Sequence, residues 1–536
     1  MPRRPEFRPV RGSMVVIAGG IVCLLCGVTR GLVESVGPAG TNARILQKQG
    51  ITGRGIHIAM LSSGNALAAH EAFRVSDTHC AVTNYDFTGD GVSAASHDTQ
   101  VAGIIVSQGG ANYPGCRGVA PGALLHSARI SSGTLSASLM ERALQELIAV
   151  KGCRIVVTGV QLPSSSATPD GSSTSAKLYD YYAEHYDVVF ANASGNSESA
   201  ITVFGDGYNG ITTGGLALDD KGEYRIVGSL SNAGPTVDGR RKPELTAPSQ
   251  RQMVPHAASV TTWSAAGTAG GQTSFSMPHT AGVAALLMER AAQTESPGDD
   301  KSLTIKAILV NTANPNLFDK SNTWTTPAET VWHPHRGFGR LDAERAMNLL
   351  NAGQFHPAAP VSAAAGWAFE SLDSYAQHDY RIVGGNQRRL VITLTWHRKL
   401  IRNSALSYVE ESPRLNLLLE IKSPTGQTLF SESDSKNNLR KADIRLAENG
   451  TYHVIVRNLA YQKNRDYALA FELVDPVLGD LKGDSQVDPL DISEFSQRWL
   501  AEADDGYSPG IGYTTLSDFS TVSGNWLNYQ SYYACY

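Results

Sequence analysis

The most constraining feature of this chain is a run of small and apolar residues at positions 273–286 that contains almost no charge. Alanine, glycine, leucine and methionine in this density let a helix approach its neighbours closely, so the run predicts a buried central helix. Pro278 falls in the expected first turn, where its missing N–H costs little. Ser274 lies at the start, near the positive end of the helix dipole, where an oxygen can carry developing negative charge. A simple N-cap on a core helix explains the same serine equally well.

Strand-like and helix-like segments alternate over residues 39–352, which is typical of an α/β domain with a parallel sheet. Short apolar runs at residues 56–61, 155–157 and 188–191 predict strands, and residues 139–150 have helical spacing of apolar positions. Ser62 follows the first of these strands and Asn196 follows the third. Both positions are favourable for function, because chemistry in open α/β sheets collects at the carboxyl ends of strands.

A histidine comes near the start of a second small-residue apolar segment, at residues 96–105. Taken singly, His97 fits a solvent-facing or core histidine as well as a catalytic base. Considered together with Ser274 and Asn196, His97 instead fits the pattern of a catalytic site. A nucleophile, a base and an amide donor are the parts that an acyl-transfer site needs.

These segments, with several others in the same order along the domain, resemble the subtilisin-like serine peptidases, the subtilase family. The resemblance is carried by residues 97–103 (HDTQVAG), 118–123 (GVAPGA), 231–235 (SNAGP), 242–248 (KPELTAP), 273–282 (TSFSMPHTAG) and 337–343 (GFGRLDA). It implies a central parallel sheet flanked by helices and hydrolysis of peptide bonds in a protein or peptide substrate. It also implies that Ser274 is the nucleophile and His97 the general base, and that Asn196 is an oxyanion donor. The family needs no cofactor for this catalysis.

One position departs from the family pattern. The third catalytic residue of the family is an aspartate at the end of the first core strand, and Ser62 occupies that place here. Serine can accept a hydrogen bond, but it brings no negative charge to stabilise an imidazolium. The side chain of Asp98 is expected to point away from His97 along the helix start. A relocated carboxylate remains an alternative, with candidates nearby in the sequence at Asp86, Asp90, Asp98 and Glu71.

Two smaller departures concern the substrate cleft. Gln272 stands where a glycine normally precedes the Thr-Ser pair, and residues 158–161 (TGVQ) replace the strand that usually lines the cleft. Both changes leave substrate preference open. The sequence of this domain therefore predicts a serine endopeptidase whose catalytic activity is impaired by the missing aspartate. The alternative is a catalytically inactive binding or scaffold protein.

The N-terminus has the layout of an export signal. Arginines at positions 3, 4, 8 and 11 precede an apolar run at residues 14–28, and the predicted signal covers residues 1–38. The alternative is an uncleaved anchor, although the run is short for a membrane span. No later segment is apolar enough to cross a bilayer, so we expect a secreted or cell-surface protein. The net charge of −5 gives no basic footprint, and nucleic acid is not expected as a partner.

Four cysteines follow the predicted signal, at Cys80, Cys116, Cys153 and Cys535. In an exported protein they permit disulfides with three possible pairings. Cys80 and Cys116 flank the segment that carries His97, and this pairing is the favoured one. Four buried free thiols are the alternative.

The remaining chain predicts two further modules. Residues 353–365 form an alanine- and proline-rich linker, and residues 366–476 alternate in a way typical of a β-sandwich, resembling the jelly-roll modules of secreted bacterial proteases. A structural cap is favoured over substrate binding for this module. Residues 477–536 resemble a dockerin, a small helical module with a Ca²⁺ loop. The expected ligands are Asp480, Asp484, Asp488 and Asp491, although Lys482 and Ser485 depart from the loop pattern. A cohesin-like or cell-surface partner would follow; the alternative is a helical tail with a solvated acidic loop.

Overall fold

The computed structural model describes residues 32–475, except residues 134, 160–167, 269, 295, 320–323 and 326–330. The predicted apolar run at residues 14–28 and the whole of the calcium-loop module lie outside the described residues. The α-helices found within them are α1 (Leu32–Val36), α2 (Arg44–Lys48), α3 (Ser96–Val106), α4 (Ala137–Leu144), α5 (Thr174–His185), α6 (Met277–Ala291), α7 (Ser302–Asn311) and α8 (Ala343–Asn351). A π-helical turn, Gln145–Val150, continues α4, and 3-10 turns occur at Glu71–Phe73 and Thr273–Phe275.

Strands of the first part of the chain alternate with these helices. They are β1 (His57–Ser62), β2 (Val82–Asp86), β3 (Gln108–Gly110), β4 (Tyr113–Arg117), β5 (Leu124–Arg129), β6 (Ile155–Thr158), β7 (Val189–Ala193), β8 (Ile211–Leu218), β9 (Tyr224–Val227), β10 (Leu245–Pro248), β11 (Gln252–Pro255), β12 (Trp263–Ala266), β13 (Leu317–Phe318) and β14 (Trp324–Thr325). The main sheet has the order β14-β13-β9-β8-β7-β6-β1-β5-β2, with β10 also paired to β8. From β2 to β8 every pairing along this order is parallel.

Parallel pairing brings the carboxyl ends of β1, β6 and β7 to one edge of the sheet. This is the edge at which α/β proteins place their chemistry. The predicted subtilisin-like α/β fold, a mostly parallel sheet flanked by helices, is confirmed.

Helix α6 runs through the core of this part, as the sequence predicted. All of its residues except Arg290 are buried, and Pro278 lies in its first turn. Close packing explains the small residues: a Cβ atom on Gly282 would lie 2.5 Å from the Cβ of Val119. At that distance real side chains clash, so only glycine lets α6 approach the segment that carries Val119.

The second part is β-rich. Its strands are β15 (Pro360–Val361), β16 (Ala365–Leu372), β17 (Gln377–Gly384), β18 (Arg389–Trp396), β19 (Leu400–Ser404), β20 (Ser407–Glu410), β21 (Leu417–Lys422), β22 (Thr428–Glu432), β23 (Leu439–Arg445), β24 (Gly450–Asn458) and β25 (Arg465–Val474). A sheet of order β15-β17-β24-β21-β22 and a second of order β16-β25-β18-β23 contribute side chains to one core. The alternating residues from which strands were predicted point into that core. The resemblance to jelly-roll modules stays a prediction.

The two parts are packed against each other rather than joined by an extended linker. Trp367 of β16 is 1% exposed, belongs to the core of the α/β part and donates a hydrogen bond from Nε1 to the carbonyl of Leu350 at 3.0 Å. The buried Lys441 amino group donates to the carbonyl of Val310 at 2.8 Å, at the C-terminus of α7. Burial lowers the pKa of Lys441 to about 7. These contacts support the structural-cap interpretation of the β-rich part.

Two expectations from the sequence are wrong in detail. Cys80, Cys116 and Cys153 are free thiols, so no Cys80–Cys116 bridge is present. The Sγ of Cys80 instead donates to the carbonyl of Ala68 at 3.2 Å, while Cys116 is buried in β4. Helix α1 lies within residues 1–38 but is packed into the α/β part, where Leu32 and Val36 are fully buried. These residues are therefore packed as part of the α/β part in this structure.

None of the helices in the part of the chain that is described has both the length and the apolar composition needed to cross a bilayer.

Candidate active site

Four predicted site residues converge at the carboxyl edge of the sheet. Ser62 is the last residue of β1, and Asn196 lies in the loop after β7. His97 is in the first turn of α3, and Ser274 lies in the 3-10 turn that leads into α6. The ends of two strands and the starts of two helices thus bring all four residues to the same edge of the sheet.

Thr273 ties the loop of Asn196 to the turn of Ser274. The Oδ1 atom of Asn196 accepts hydrogen bonds from the backbone N–H of Thr273 at 2.7 Å and from its hydroxyl at 2.9 Å. The hydroxyl also accepts from the backbone N–H of Gly195 at 3.1 Å. These bonds hold the carbonyl oxygen of the Asn196 amide against the residue that precedes Ser274.

Asn232 holds the same loop from the other side. Its Oδ1 accepts from the backbone N–H of Ser197 at 2.7 Å, and its Nδ2 donates to the carbonyl of Ala200 at 2.7 Å. Asn232 lies in one of the segments that resemble the family, but no role was predicted for it. Its function here is to hold the backbone that presents Asn196.

The ring of His97 lies beside the turn that carries Ser274. Its centroid is 5.6 Å from that of Phe275, and 42% of the side chain is exposed. In the described residues, no hydrogen bond joins His97 to Ser274. Catalytic hydrogen bonds are often long or poorly aligned without substrate, so this geometry is compatible with a nucleophile and its base.

The side chain of Asp98 contradicts the sequence prediction, because it does not point away from His97. Its carboxylate accepts a hydrogen bond from the hydroxyl of Ser62, and Oδ1 lies 3.5 Å from Nδ1 of His97. Both Ser62 and Asp98 are buried, with 0% and 2% exposure. A carboxylate therefore does lie at the His97 ring, although it comes from α3 and not from β1.

Small neighbours make room for this carboxylate. A Cβ atom on Gly64 would lie 2.6 Å from Oδ2 of Asp98, and one on Gly159 would lie 2.8 Å from Oγ of Ser62. Any larger residue at position 64 would displace the carboxylate. Both glycines are distant from Asp98 in the sequence, so the sequence alone does not indicate the position of its carboxylate.

The other acidic candidates are engaged elsewhere. The carboxylate of Asp86 accepts hydrogen bonds from its own loop, including the Thr88 hydroxyl and backbone N–H groups, and these bonds lower its pKa to about 2. Asp90 lies 3.6 Å from Arg129. Glu71 accepts from Nε1 of Trp263 at 2.8 Å. None of these contacts brings a carboxylate to His97.

The cleft residues are only partly described. Thr158 is buried, and its hydroxyl donates to the Tyr179 hydroxyl at 3.0 Å, so it faces the core rather than the cleft. Residues 160 and 161, which were predicted to alter the cleft strand, lie outside the described residues. Gln272 adopts ordinary extended backbone angles, φ −69° and ψ 130°, which its side chain allows without strain.

No group of three or more His, Cys, Asp or Glu side chains is arranged to hold a metal ion within the described residues. The predicted calcium ligands Asp480, Asp484, Asp488 and Asp491 belong to the C-terminal segment outside them.

A serine, a histidine and an amide donor at the carboxyl edge of a parallel sheet are the arrangement of a serine peptidase. The model of the subtilase family, peptidase S8, matches residues 53–339, more than half of the chain. The chain therefore belongs to the subtilase family and carries a subtilase-family serine protease domain. Membership in a peptidase family defines protein as its class of substrate.

Several solved structures are similar to this chain. The prenylagaramide maturation protease PagA is 21% identical, with 57% of this chain and 98% of that chain covered and a TM-score of 0.45. Sphericase is 20% identical, with coverages of 54% and 92% and a TM-score of 0.42. The S41 psychrophilic protease is 23% identical, with the same coverages and TM-score.

Proposed function

We propose that the chain is a secreted serine endopeptidase in which Ser274 is the nucleophile, His97 is the general base and Asn196 is an oxyanion donor. The observation that carries the proposal is the pair of hydrogen bonds from Thr273 to Oδ1 of Asn196, at 2.7 and 2.9 Å. Holding the amide oxygen in this way leaves the NH₂ group free to donate beside the nucleophile. A scaffold that had lost its chemistry would not need this orientation.

The chemistry follows from these positions. The Ser274 oxygen attacks the carbonyl carbon of the scissile peptide while Nε2 of His97 accepts the hydroxyl proton. The carbonyl oxygen becomes an oxyanion, stabilised by the Ser274 backbone N–H and by Nδ2 of Asn196. The C–N bond then breaks as His97 returns the proton to the leaving amine, which leaves an acyl-enzyme. Water, deprotonated by His97, hydrolyses the acyl ester and regenerates the Ser274 hydroxyl.

We expect this activity to be lower than that of a subtilase with an aspartate at the end of β1. Loss of that aspartate with no other carboxylate in its place lowers kcat about 3 × 10⁴-fold, a magnitude known from subtilisin itself, and this value is an upper bound for the loss expected here. This corresponds to about 6 kcal/mol of transition-state stabilisation. Ser62 supplies no charge, and the Asp98 oxygen is 3.5 Å from Nδ1 of His97. Charge-assisted N–H···O hydrogen bonds are shorter, about 2.7–2.9 Å.

The test is hydrolysis of casein and of a peptide library by the purified protein and by Ser274→Ala. We expect slow cleavage at internal peptide bonds by the native protein and none by the variant. Equal background rates for both proteins would contradict the proposal. A Ser138→Ala variant is the matched control, because Ser138 is exposed in the first turn of α4 and its hydroxyl is hydrogen-bonded to that of Ser136. It should retain cleavage.

The second candidate is a catalytically inactive binding or scaffold protein of the same fold. The observation that favours it is the lack of a hydrogen bond between His97 and Ser274 in the described residues. It predicts that unfolded protein or peptide binds in the cleft and is released uncleaved. Binding without cleavage by both the native protein and Ser274→Ala would establish this alternative.

Export and a C-terminal calcium module are also part of the proposal. The arginine-rich start with its apolar run supports export, and Asp480, Asp484, Asp488 and Asp491 support one Ca²⁺ loop. A cohesin-like or cell-surface partner would then bind this module. Titration of the full chain with Ca²⁺, monitored by calorimetry, should detect one binding site. This site should be absent in the Asp480→Ala variant. Unchanged binding in that variant would overturn the assignment of the loop.

A further inference from the structure

We propose that Asp98 is the positioning residue for His97, and that Ser62 holds the Asp98 carboxylate in place. The carboxylate that subtilases carry at the end of β1 is then supplied from the first turn of α3. This inference rests on the proposed function, because it assigns the residue that orients the catalytic base.

The burial of Asp98 is the first argument. A carboxylate that is 2% exposed is expected to be paired or hydrogen-bonded, because leaving it isolated away from water is unfavourable. Within the described residues, the side chains in contact with its oxygens are Ser62, a neutral donor, and His97. His97 is thus the one neighbour that can become a cation beside it. The positive imidazolium formed when Ser274 is deprotonated would be stabilised by this charge.

The fit between Ser62 and Asp98 is the second argument. The two side chains touch through the Ser62 hydroxyl and the Asp98 carboxylate, so a carboxylate at position 62 would compete for the same space. Gly64 and Gly159 provide that space on either side. Asp98 also lies in the first turn of α3, where the helix dipole stabilises a negatively charged carboxylate. Nδ1 of His97 faces the Asp98 carboxylate in this arrangement, which leaves Nε2 to exchange the proton with Ser274.

This arrangement predicts a non-additive pattern among substitutions at positions 62 and 98. If the site simply lacked a carboxylate at position 62, the single substitution Ser62→Asp would raise the rate of peptide hydrolysis. If Asp98 already supplies the charge, Ser62→Asp places two carboxylates in contact and one must take up a proton. The exchange variant Ser62→Asp/Asp98→Ser restores one carboxylate and one hydroxyl, and it should be more active than either single variant.

Peptide hydrolysis is the first measurement. We expect Asp98→Asn to lower kcat about 10²–10⁴-fold with little change in KM, because orientation of His97 matters in the transition state. Ser62→Ala should give a smaller loss, and the exchange variant should recover most of the activity lost in Asp98→Asn. Asp90→Asn is the matched control, since Asp90 is in the loop before α3 and faces Arg129. It should leave kcat within about twofold of the native value.

A second measurement does not depend on hydrolysis. Histidine-selective ¹⁵N labelling of Ser274→Ala, with His97→Gln to assign the signal, reports the N–H of the His97 ring. A hydrogen on Nδ1 that faces a carboxylate is deshielded, so we expect a low-field proton resonance that is lost in Asp98→Asn and retained in Asp90→Asn. Circular dichroism establishes that each variant is folded.

The outcomes separate the two proposals. Cleavage by the native protein together with normal kcat and an unchanged His97 resonance in Asp98→Asn would overturn the role of Asp98 while leaving the peptidase intact. An inactive native protein that still shows the Asp98-dependent resonance would contradict the proposed function and support this contact. If Asp98→Asn does not fold, the exchange variant decides the question: a folded, inactive exchange variant with no low-field resonance overturns the inference.

Discussion

The hydroxyl of Ser62, the last residue of β1, donates a hydrogen bond to the carboxylate of Asp98, in the first turn of α3. Both side chains are buried, and the same carboxylate oxygen lies 3.5 Å from Nδ1 of His97. The bond links the end of β1 to the helix that carries His97. It shows how a neutral residue at the end of β1 can coexist with a negative charge beside the histidine.

A methyl group at position 64 should disturb this pair. The Cβ of Gly64→Ala would lie 2.6 Å from Oδ2 of Asp98 and 2.8 Å from the Cβ of Ala95. Overpacking of this kind typically costs about 1–3 kcal/mol. We expect lower kcat and reduced thermal stability, measured by peptide hydrolysis and calorimetry. Gly115→Ala is the control, because Gly115 is exposed and its Cβ would approach only a methyl of Val33. Unchanged kcat in Gly64→Ala would mean that the carboxylate can shift without affecting His97.

The amide of Asn196 should act in the transition state rather than in substrate binding. Asn196→Ala removes one oxyanion donor, which should lower kcat about 10²–10³-fold, a magnitude known from subtilisin itself. KM should change little, since the oxyanion exists only after attack. Steady-state kinetics on a peptide substrate measure both constants.

Thr273→Val provides a graded comparison for Asn196. It removes the hydroxyl contact to Asn196 but keeps the backbone N–H bond at 2.7 Å. Its effect on kcat should therefore be smaller than that of Asn196→Ala. An increase in KM with unchanged kcat in Asn196→Ala would place this side chain in substrate binding instead.

The buried histidine of α6 should make the protein sensitive to acid. Burial lowers the pKa of His279 to about 3, whereas an unfolded chain has a histidine pKa near 6.5. The folded state therefore binds fewer protons than the unfolded state below about pH 6.5. The stability that neutral, buried His279 contributes to the folded state is fully present above about pH 6.5 and is lost as the pH falls towards 3. The loss is roughly 1.4 kcal/mol per pH unit.

Urea unfolding between pH 7 and pH 5 measures this dependence. His279→Gln should show a shallower decrease in the free energy of unfolding than the native protein. His79→Gln, at an exposed position, should follow the native curve. Parallel curves for the native protein and His279→Gln would show that His279 is not responsible.

The packing of Trp367 predicts that the α/β part and the β-rich part unfold together. Trp367→Ala removes a buried indole from the shared core and a hydrogen bond to the Leu350 carbonyl, so it should lower stability by about 3–5 kcal/mol. Calorimetry of the native protein should show one transition. Tyr461→Ala, whose ring is 63% exposed, is the control and should change stability by less than about 0.5 kcal/mol. Two separate transitions in the native protein would contradict the common core.

Much of the α/β fold could be predicted because its determinants are local. The small-residue composition of the run at 273–286 predicts a buried helix, and the apolar runs that became β1, β6 and β7 are strand-length and bounded by turns. His97 and Ser274 could be predicted as site residues because each lies in a segment that resembles the family, and Asn196 could be predicted because it follows an apolar strand. Alternation at positions 417–421, 452–456 and 467–473 likewise predicted β21, β24 and β25.

Other features depended on neighbours that are distant in the chain. Helix α1 falls within the predicted export segment, residues 1–38, and only its packing against β4 and β11 shows that it contacts the α/β part. The free thiols of Cys80 and Cys116 reflect the separate contacts of their elements, which cysteine spacing does not encode.

The sequence by itself determined that this chain is an α/β protein with a buried helix that follows Ser274, because periodicity and residue size act over a few neighbouring positions. Only the tertiary structure decided where the negative charge of the site lies. The orientation of Asp98 depends on the Ser62 hydroxyl and on the space left by Gly64, which lie more than thirty positions earlier in the chain. Such a contact is set by the packing of α3 against the end of β1, and no local pattern specifies it.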